Sequence, residues 1–453
     1  MTAMIDQHDS LSRIAGPVLF PGDDGYAEET GGFNLTYRPG PAVVVGATCA
    51  DDVAAAVAHA AATGRRVAVQ ATGHGLTCDL FGTVLVSTRR MTEVHIDPVA
   101  RVARVGAGVR WRAVIDAAAP HGLAPLNGSS SDVGVVGYTT GGGLGPLARR
   151  YGFAADHVRR FTLVTADGAV RDVTPASEPD LFWAVRGGKG NFGIVTDIEF
   201  DLVPVSRFFG GALVFGADDA HAVLHAWRAW APTLPEETTT SVALLRTPPD
   251  PALPEPIRGR FVVAVRFTHL GDAASGEALL APMRAAGTVV LDAIADMPYP
   301  AIDAVHMDPT TPMPMWDRGG ALSALPAEAV DAVLATAGPA ADCPLAMVEL
   351  RLLGGAIGRA PAVPNAVAGR DAAFSLFTVG VPVGPPIELV AAAAARVVGS
   401  VRPWACRGLV NLLGQAGPDR VGDLWDEADR ARLLTIRGRA DPTGLFATNV
   451  VIG

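Results

Sequence analysis

Apolar positions along the chain fall into short runs and helical spacings that mark out its elements. The run at 42–48 (AVVVGAT) reads as a buried strand. Asp51 and Asp52 open an apolar-periodic stretch that Gly64 closes, which predicts a helix over that span. Strands are expected at 66–70, 83–87 and 101–105, and a helix at 109–121. A hairpin is expected at 161–165 and 170–173, turning at Asp167-Gly168, followed by a helix at 180–185 and a strand at 194–203. The pattern shifts near Pro204. From there to about 405, helices at 220–231, 273–285, 326–337 and 387–398 alternate with strands at 212–215, 242–246, 261–268, 346–353 and 374–381. That alternation predicts a second α/β unit, a sheet covered on one side by helices. The segment 426–437 reads as a final helix running into a loop.

With 453 residues, 49% hydrophobic and 18% charged, the chain is long and apolar enough for two or three domains and excludes wholesale disorder. Its net charge of −10 argues against a general nucleic-acid partner. The N-terminus lacks a basic start followed by an apolar run, and the stretch 387–398 is short and interrupted by Arg396, so neither a signal peptide nor a membrane span is expected. A cytoplasmic protein is the expectation, as a monomer or homodimer acting on a small molecule. Cys49, Cys78, Cys343 and Cys406 show no CxxC spacing, so neither a metal site nor a disulfide framework is expected, and Cys78 reads as a small buried residue. Lys189 is the chain's one lysine, either an exposed loop residue or a phosphate contact.

Glycine carries the chemistry. The stretch 128–145 (GSSSDVGVVGYTTGGGLG) is too glycine-rich for a regular element. It contains GxGxxA at 143–148, and GxGxxG follows at 188–193, but neither has the strand-then-helix context of a dinucleotide fingerprint. Together with ATGHG at 71–75 they make three loops whose backbone N–H groups can approach a ligand closely, which suits one phosphate-rich molecule crossing them all.

At these loops the chain resembles the FAD-linked oxidases of the vanillyl-alcohol oxidase / p-cresol methylhydroxylase superfamily, in the berberine bridge enzyme-like branch. The residues that carry the resemblance are VAVQATGHG (67–75), VGVVGYTTGGGLGPLARRYG (133–152), VTADG (164–168), PDLFWAVRGGKGNFGIVT (179–196) and RLLTIRGRADPTGLFATN (432–449). The resemblance implies an α+β fold: an FAD-binding domain in two parts, 1–205 and 406–453, around a substrate domain at 206–405 with a large antiparallel sheet. It implies FAD bonded covalently through His74 only, because Ser130 stands where bicovalent members carry a cysteine. Thr72, Gly73, Gly75, Leu76, Ser130, Val135, Tyr138, Gly141, Gly142, Gly143, Gly145, Gly190, Gly193, Val195 and Asn449 are the other implied cofactor contacts. Asp156, Asp167, Asp180 and Trp183 match the pattern as structural residues.

The family's C-terminal tyrosine base has no counterpart. The five tyrosines end at Tyr299, and Leu409 and Leu412 stand where aromatics are usual. Tyr138, Asn411, Glu349 and Arg351 are the catalytic candidates. Glu349 and Arg351 share one strand face with Met347, either lining a cavity or forming an ion pair or solvated face. Tyr299, His306, Asp308, Trp316 and Asp317 read as a surface loop placed to cap a pocket. The resemblance implies an oxidase that takes hydride from an alcohol or amine carbon of a small, largely apolar metabolite, with O2 as acceptor, in secondary metabolism. A redox-neutral flavin-bearing cyclase and a silent FAD-binding protein are the alternatives.

Overall fold

A computed structural model describes residues 11–415, 420–421, 424–448 and 450–452. The chain is α+β, with three sheets in chain order. The first has four strands, Val18–Leu19, Val43–Gly46, Val84–Ser87 and Val67–Gln70 in that spatial order. Its parallel pairs are closed by the helix Ala50–Thr63, which stops at Gly64 in a left-handed conformation, as the sequence predicts. Val43, Val45, Val53, Val57, Val84 and Val86 fill the interface between them.

The second sheet is antiparallel, of five strands: Val94–Asp97, Val102–Gly106, Ile194–Asp201, Val158–Val164 and Val170–Val173. The expected hairpin is present, with Phe161 opposite Val173 and Val164 opposite Val170. Trp111, Phe161, Phe182 and Phe192 fill its core.

The third sheet has nine strands. Its continuous path runs Val289–Asp292, Arg207–Gly216, Phe261–His269, Thr238–Arg246, Leu345–Leu352, Phe374–Gly380, Trp316–Leu322 and Ala405–Cys406, with Ala295–Pro298 pairing the second of these. The helices Ala220–Trp230, Ala273–Arg284, Ala327–Ala337 and Ile387–Ser400 cover one face. Strand alternation explains the covering: Val348, Leu350 and Leu352 point into the helical layer with Trp227, Val333 and Val397. The opposite face carries Ser241, Arg266, Glu349 and Arg351, and this face positions the site.

The tail returns to the first two sheets. Ala447 N donates to the Val67 carbonyl at 2.6 Å, and the helix Glu427–Ala440 packs beside Pro179–Gly188. Arg432 and Arg439 both pair with Asp180, and the Arg432 guanidinium lies 4.1 Å over the Trp183 ring.

Two local expectations are corrected. The glycine stretch contains a short helix, Val135–Thr140, entered through a Val135 N–H to Val109 carbonyl bond of 3.0 Å. The stretch 299–317 is a surface loop only in part, over 307–315, where Met307 is exposed. Tyr299–Val305 is a 3-10 helix, and Trp316 starts a strand inside the large sheet. Tyr299 is buried, its hydroxyl donating to Asn127 Oδ1 at 2.5 Å. Cys78 is exposed rather than buried, because its loop lies on the surface.

Candidate functional site

His74 sits in the loop after the strand Val67–Gln70. Gly73 takes φ +74°, and a Cβ there would come within 2.6 Å of Gly32 Cα, so only glycine lets the two backbones touch and aim the imidazole. The ring stacks on Phe33, centroids 4.0 Å apart and 11° from parallel. Its Nδ1 is 2.9 Å from Thr72 Oγ1, while Nε2 is buried with no hydrogen-bond partner. Burial, and then the Arg110 charge, lower its pKa to about 4, against an opposing pull from Asp132. The imidazole is therefore neutral and nucleophilic at physiological pH.

The glycine stretch lies alongside. Thr72 Cγ2 is 3.6 Å from the position a Gly134 Cβ would take. Val135 is fully buried, and the Tyr138 and Thr139 hydroxyls are buried without partners. Burial pushes the Tyr138 hydroxyl far above its ordinary range, so it stays protonated. Gly143 takes φ +78°, and a Cβ there would lie 2.6 Å from Tyr138 Cε1. Asn411, from the tail, donates Nδ2 to the Tyr138 carbonyl at 2.7 Å.

Lys189 is partly buried, against the reading of an exposed lysine. It holds φ +55° between two glycines, which turns its side chain inward until Cε lies 2.6 Å from a would-be Gly141 Cβ. Burial lowers its pKa to about 8, with Asp317 pulling the other way, and burial raises Asp317 to about 6. Tyr37 Oη, Asp317 Oδ1 and Gln415 Nε2 nearby are buried without partners.

The remaining expected contacts divide. Leu76, Val195, Gly141, Gly142, Gly143 and Gly145 are buried around the loops. Gly75 and Ser130 are more open, and Ser130 Oγ accepts from Asp132 N at 3.3 Å. Gly190 is open, with Thr448 Oγ1 3.9 Å from a would-be Cβ. Gly193 takes φ +154° where its strand leaves the loop. Asn191 between them is structural: Nδ2 donates to the Gly188 and Val450 carbonyls at 2.7 Å each, which anchors the tail. Asn449 lies outside the described residues.

The large sheet supplies the facing wall. Arg266 stands opposite Ser241, and Ser241 opposite Arg351, in one row across three strands. Glu349 is in the next row, opposite Ala243, which is opposite Ala264; these small neighbours leave room for long side chains to lean together. Glu349 Oε1 accepts from Ser241 Oγ at 2.6 Å and Arg266 Nη1 at 2.7 Å, and Oε2 from Arg351 Nη2 at 2.9 Å. The two guanidiniums overcome the burial of Glu349 and hold its carboxyl well below the usual range. Its carboxylate is held ionised between the two arginines. His306, expected at the surface, is buried, with Nε2 3.7 Å from Glu349 Oε1 and neither ring nitrogen hydrogen-bonded. Burial and the two arginines hold it well below its ordinary pKa, hence neutral.

A cavity lies between this wall and Gly145-Pro146, lined by Thr239, Ser241, Thr268, Arg266, His306 and Arg351 among others. Its exposed lining is more apolar than polar. The segment after His306 joins both halves of the site. Its Met313 bridges Asn34, next to Phe33, whose ring stacks on His74. No helix among the described residues is long and apolar enough to cross a membrane.

A family profile described as an FAD binding domain matches residues 41–174. The chain is 31% identical over 307 residues to (R)-6-hydroxynicotine oxidase of Paenarthrobacter nicotinovorans, covering 65% of this chain and 64% of that protein. It is 29% identical over 240 residues to the uncharacterized FAD-linked oxidoreductase YgaK of Bacillus subtilis, covering 51% and 53%. The matched stretches thus span less than two thirds of these relatives. Among solved structures, 6-hydroxy-D-nicotine oxidase of Arthrobacter nicotinovorans superposes with TM-score 0.82 at 25% identity, over 97% of this chain and 98% of that one. BBE-like 1 of Physcomitrella patens superposes with TM-score 0.84 at 19% identity, over 99% of both, which shows the same fold.

The residues present fit the flavin that such proteins carry. A neutral, unpartnered His74 Nε2 lies at one end, and the glycine loops and the orphaned Tyr138 and Thr139 hydroxyls lie beyond it. The chain belongs to the vanillyl-alcohol oxidase / p-cresol methylhydroxylase superfamily of FAD-linked oxidoreductases, with the berberine bridge enzyme-like fold.

Proposed function

We propose that the protein is an FAD-dependent oxidase that removes hydride and a proton from an alcohol or amine carbon of a small metabolite, with O2 as final acceptor. The observation that carries this reading is the pairing of two walls around one cavity. On one side is the end of the glycine stretch, Gly145-Pro146, with the His74 loop beyond the cavity, and on the other a sheet face with a buried ion cluster and a neutral histidine. FAD, when bound, supplies the hydride acceptor, held through His74 Nε2 because Nδ1 is engaged by Thr72. Residues 1–205 and 406–453 would form its cradle and 206–405 the substrate wall.

This chain's own residues supply the proton chemistry. The missing tyrosine leaves the substrate O–H or N–H proton without its family acceptor. His306 replaces it in this reading, because it is buried at the cavity, unprotonated and free at both nitrogens. Glu349 and Arg266 position the His306 segment, Arg266 Nη2 donating to the His306 carbonyl at 3.3 Å. Asn411 holds the tail against Tyr138, and Tyr138 stays protonated as a donor. Anaerobic mixing of the yellow protein with candidate alcohols and amines tests the function. Bleaching of the flavin by at least one of them supports it; product formed without bleaching or oxygen use refutes it.

A further inference from the structure

The sheet wall holds more positive charge than the protein neutralises. Arg266 and Arg351 carry two charges, Glu349 returns one, and His306 is neutral. All four residues are no more than 9% exposed. A buried charge without a partner is strongly unfavourable, so the cluster is built to meet an anion. Glu349 is already committed, with Ser241 and Arg266 on Oε1 and Arg351 on Oε2. Arg266 is also committed, to Glu349 and the His306 carbonyl. Arg351 is not. Its Nη2 donates to Glu349, and Nε and Nη1 have no acceptor among the described residues, yet it lines the cavity with Gly145 and Pro146.

We propose that the cavity takes a substrate bearing a carboxylate, held by the free edge of Arg351 with Arg266 behind it. This rests on the reading of the cavity as the substrate site. A guanidinium edge offers two parallel N–H donors that match a carboxylate's two oxygens. Ser241, Thr239 and Thr268 line the same cavity. The bound anion also offsets the two arginines that keep His306 unprotonated, so occupancy readies His306 to take a proton.

The test uses the oxidised holoenzyme, titrated with benzoate and with benzamide while flavin absorbance is followed. The probes share a shape and differ in charge. Benzoate should bind at least about tenfold more tightly. The preference should vanish in Arg351→Met and survive, weakened, in Arg351→Lys, which keeps the charge facing Glu349 and so protects the fold. Equal binding of the two probes, binding of neither, or an unchanged preference in both variants overturns the proposal. Binding is read without turnover. A protein that shows the preference but oxidises nothing would therefore refute the proposed function and leave this inference standing.

Discussion

Asn411 Nδ2 donates to the Tyr138 carbonyl at 2.7 Å, so a residue of the C-terminal tail closes the helix that the glycine stretch forms. The two residues are 273 positions apart, and the bond makes the loops and the tail one surface. Asn411→Ala leaves that carbonyl short of a donor and should cost about 1–3 kcal/mol. Denaturant unfolding should show that loss, and the purified variant should carry less flavin than the wild type. Unchanged stability together with full flavin content would remove Asn411 from this role.

Glu349 is the only carboxylate in hydrogen-bond contact with Arg266 and Arg351 among the described residues. Glu349→Gln leaves two buried guanidiniums facing each other and should destabilise the protein by about 3–5 kcal/mol. The sign with pH follows from the depressed folded pKa of Glu349. Its contribution is fully present above the unfolded carboxyl value and is lost only as pH falls through the lower folded value. The gap between wild type and variant should therefore be the same at pH 5 and pH 8. A gap that closes by pH 5 contradicts the ion cluster.

The pKa of His74, lowered to about 4, makes a second pH statement. An imidazole with that value is neutral throughout pH 6 to 8, so its readiness to bond the flavin should not change there. Apoprotein mixed with FAD should attach it at the same rate at pH 6 and pH 8. A rate that climbs about fourfold across that range would mean an ordinary, exposed histidine.

His306 carries the proton in the proposed reaction. His306→Gln keeps a similar size and polarity without basicity, and should lower kcat by about 10²–10⁴ with little change in KM. The acid limb of the wild-type pH profile should disappear with it. A variant that keeps both kcat and the limb would place the acceptor elsewhere.

Much of the fold was legible because it rests on local signals. Asp51, Asp52 and Gly64 bound a helix by their own chemistry, and the Asp167-Gly168 turn fixes a hairpin. The resemblance at the glycine loops located His74 and the tail. The sheet wall was only half legible. Alternation placed Glu349 and Arg351 on one face, with a cavity lining and an ion pair both open. Only the register Arg266–Ser241–Arg351 shows that they face the cavity as a cluster, and register is set by pairing across distant strands. The strand Trp316–Leu322 has no strand signal in the sequence, and its first two residues read as loop, because it opens Trp-Asp-Arg-Gly-Gly. Gly319 is needed there, since the tail's backbone lies against it and its N–H donates to the Leu413 carbonyl at 3.2 Å. Tyr299 and His306 were read as surface for the same reason: what buries them is contributed by remote segments, Pro125 and Asn127 for one, Arg266 and Glu349 for the other.

In the proposed flavoenzyme the cofactor is bonded at His74. Mass spectrometry of the denatured protein and of its His74-containing peptide tests it most directly. The His74 peptide should gain the mass of FAD less the two hydrogens lost when the bond forms, a gain absent from His74→Ala, which releases its flavin on acid precipitation. Protein of unmodified mass, with no flavin purifying alongside it, would contradict the account.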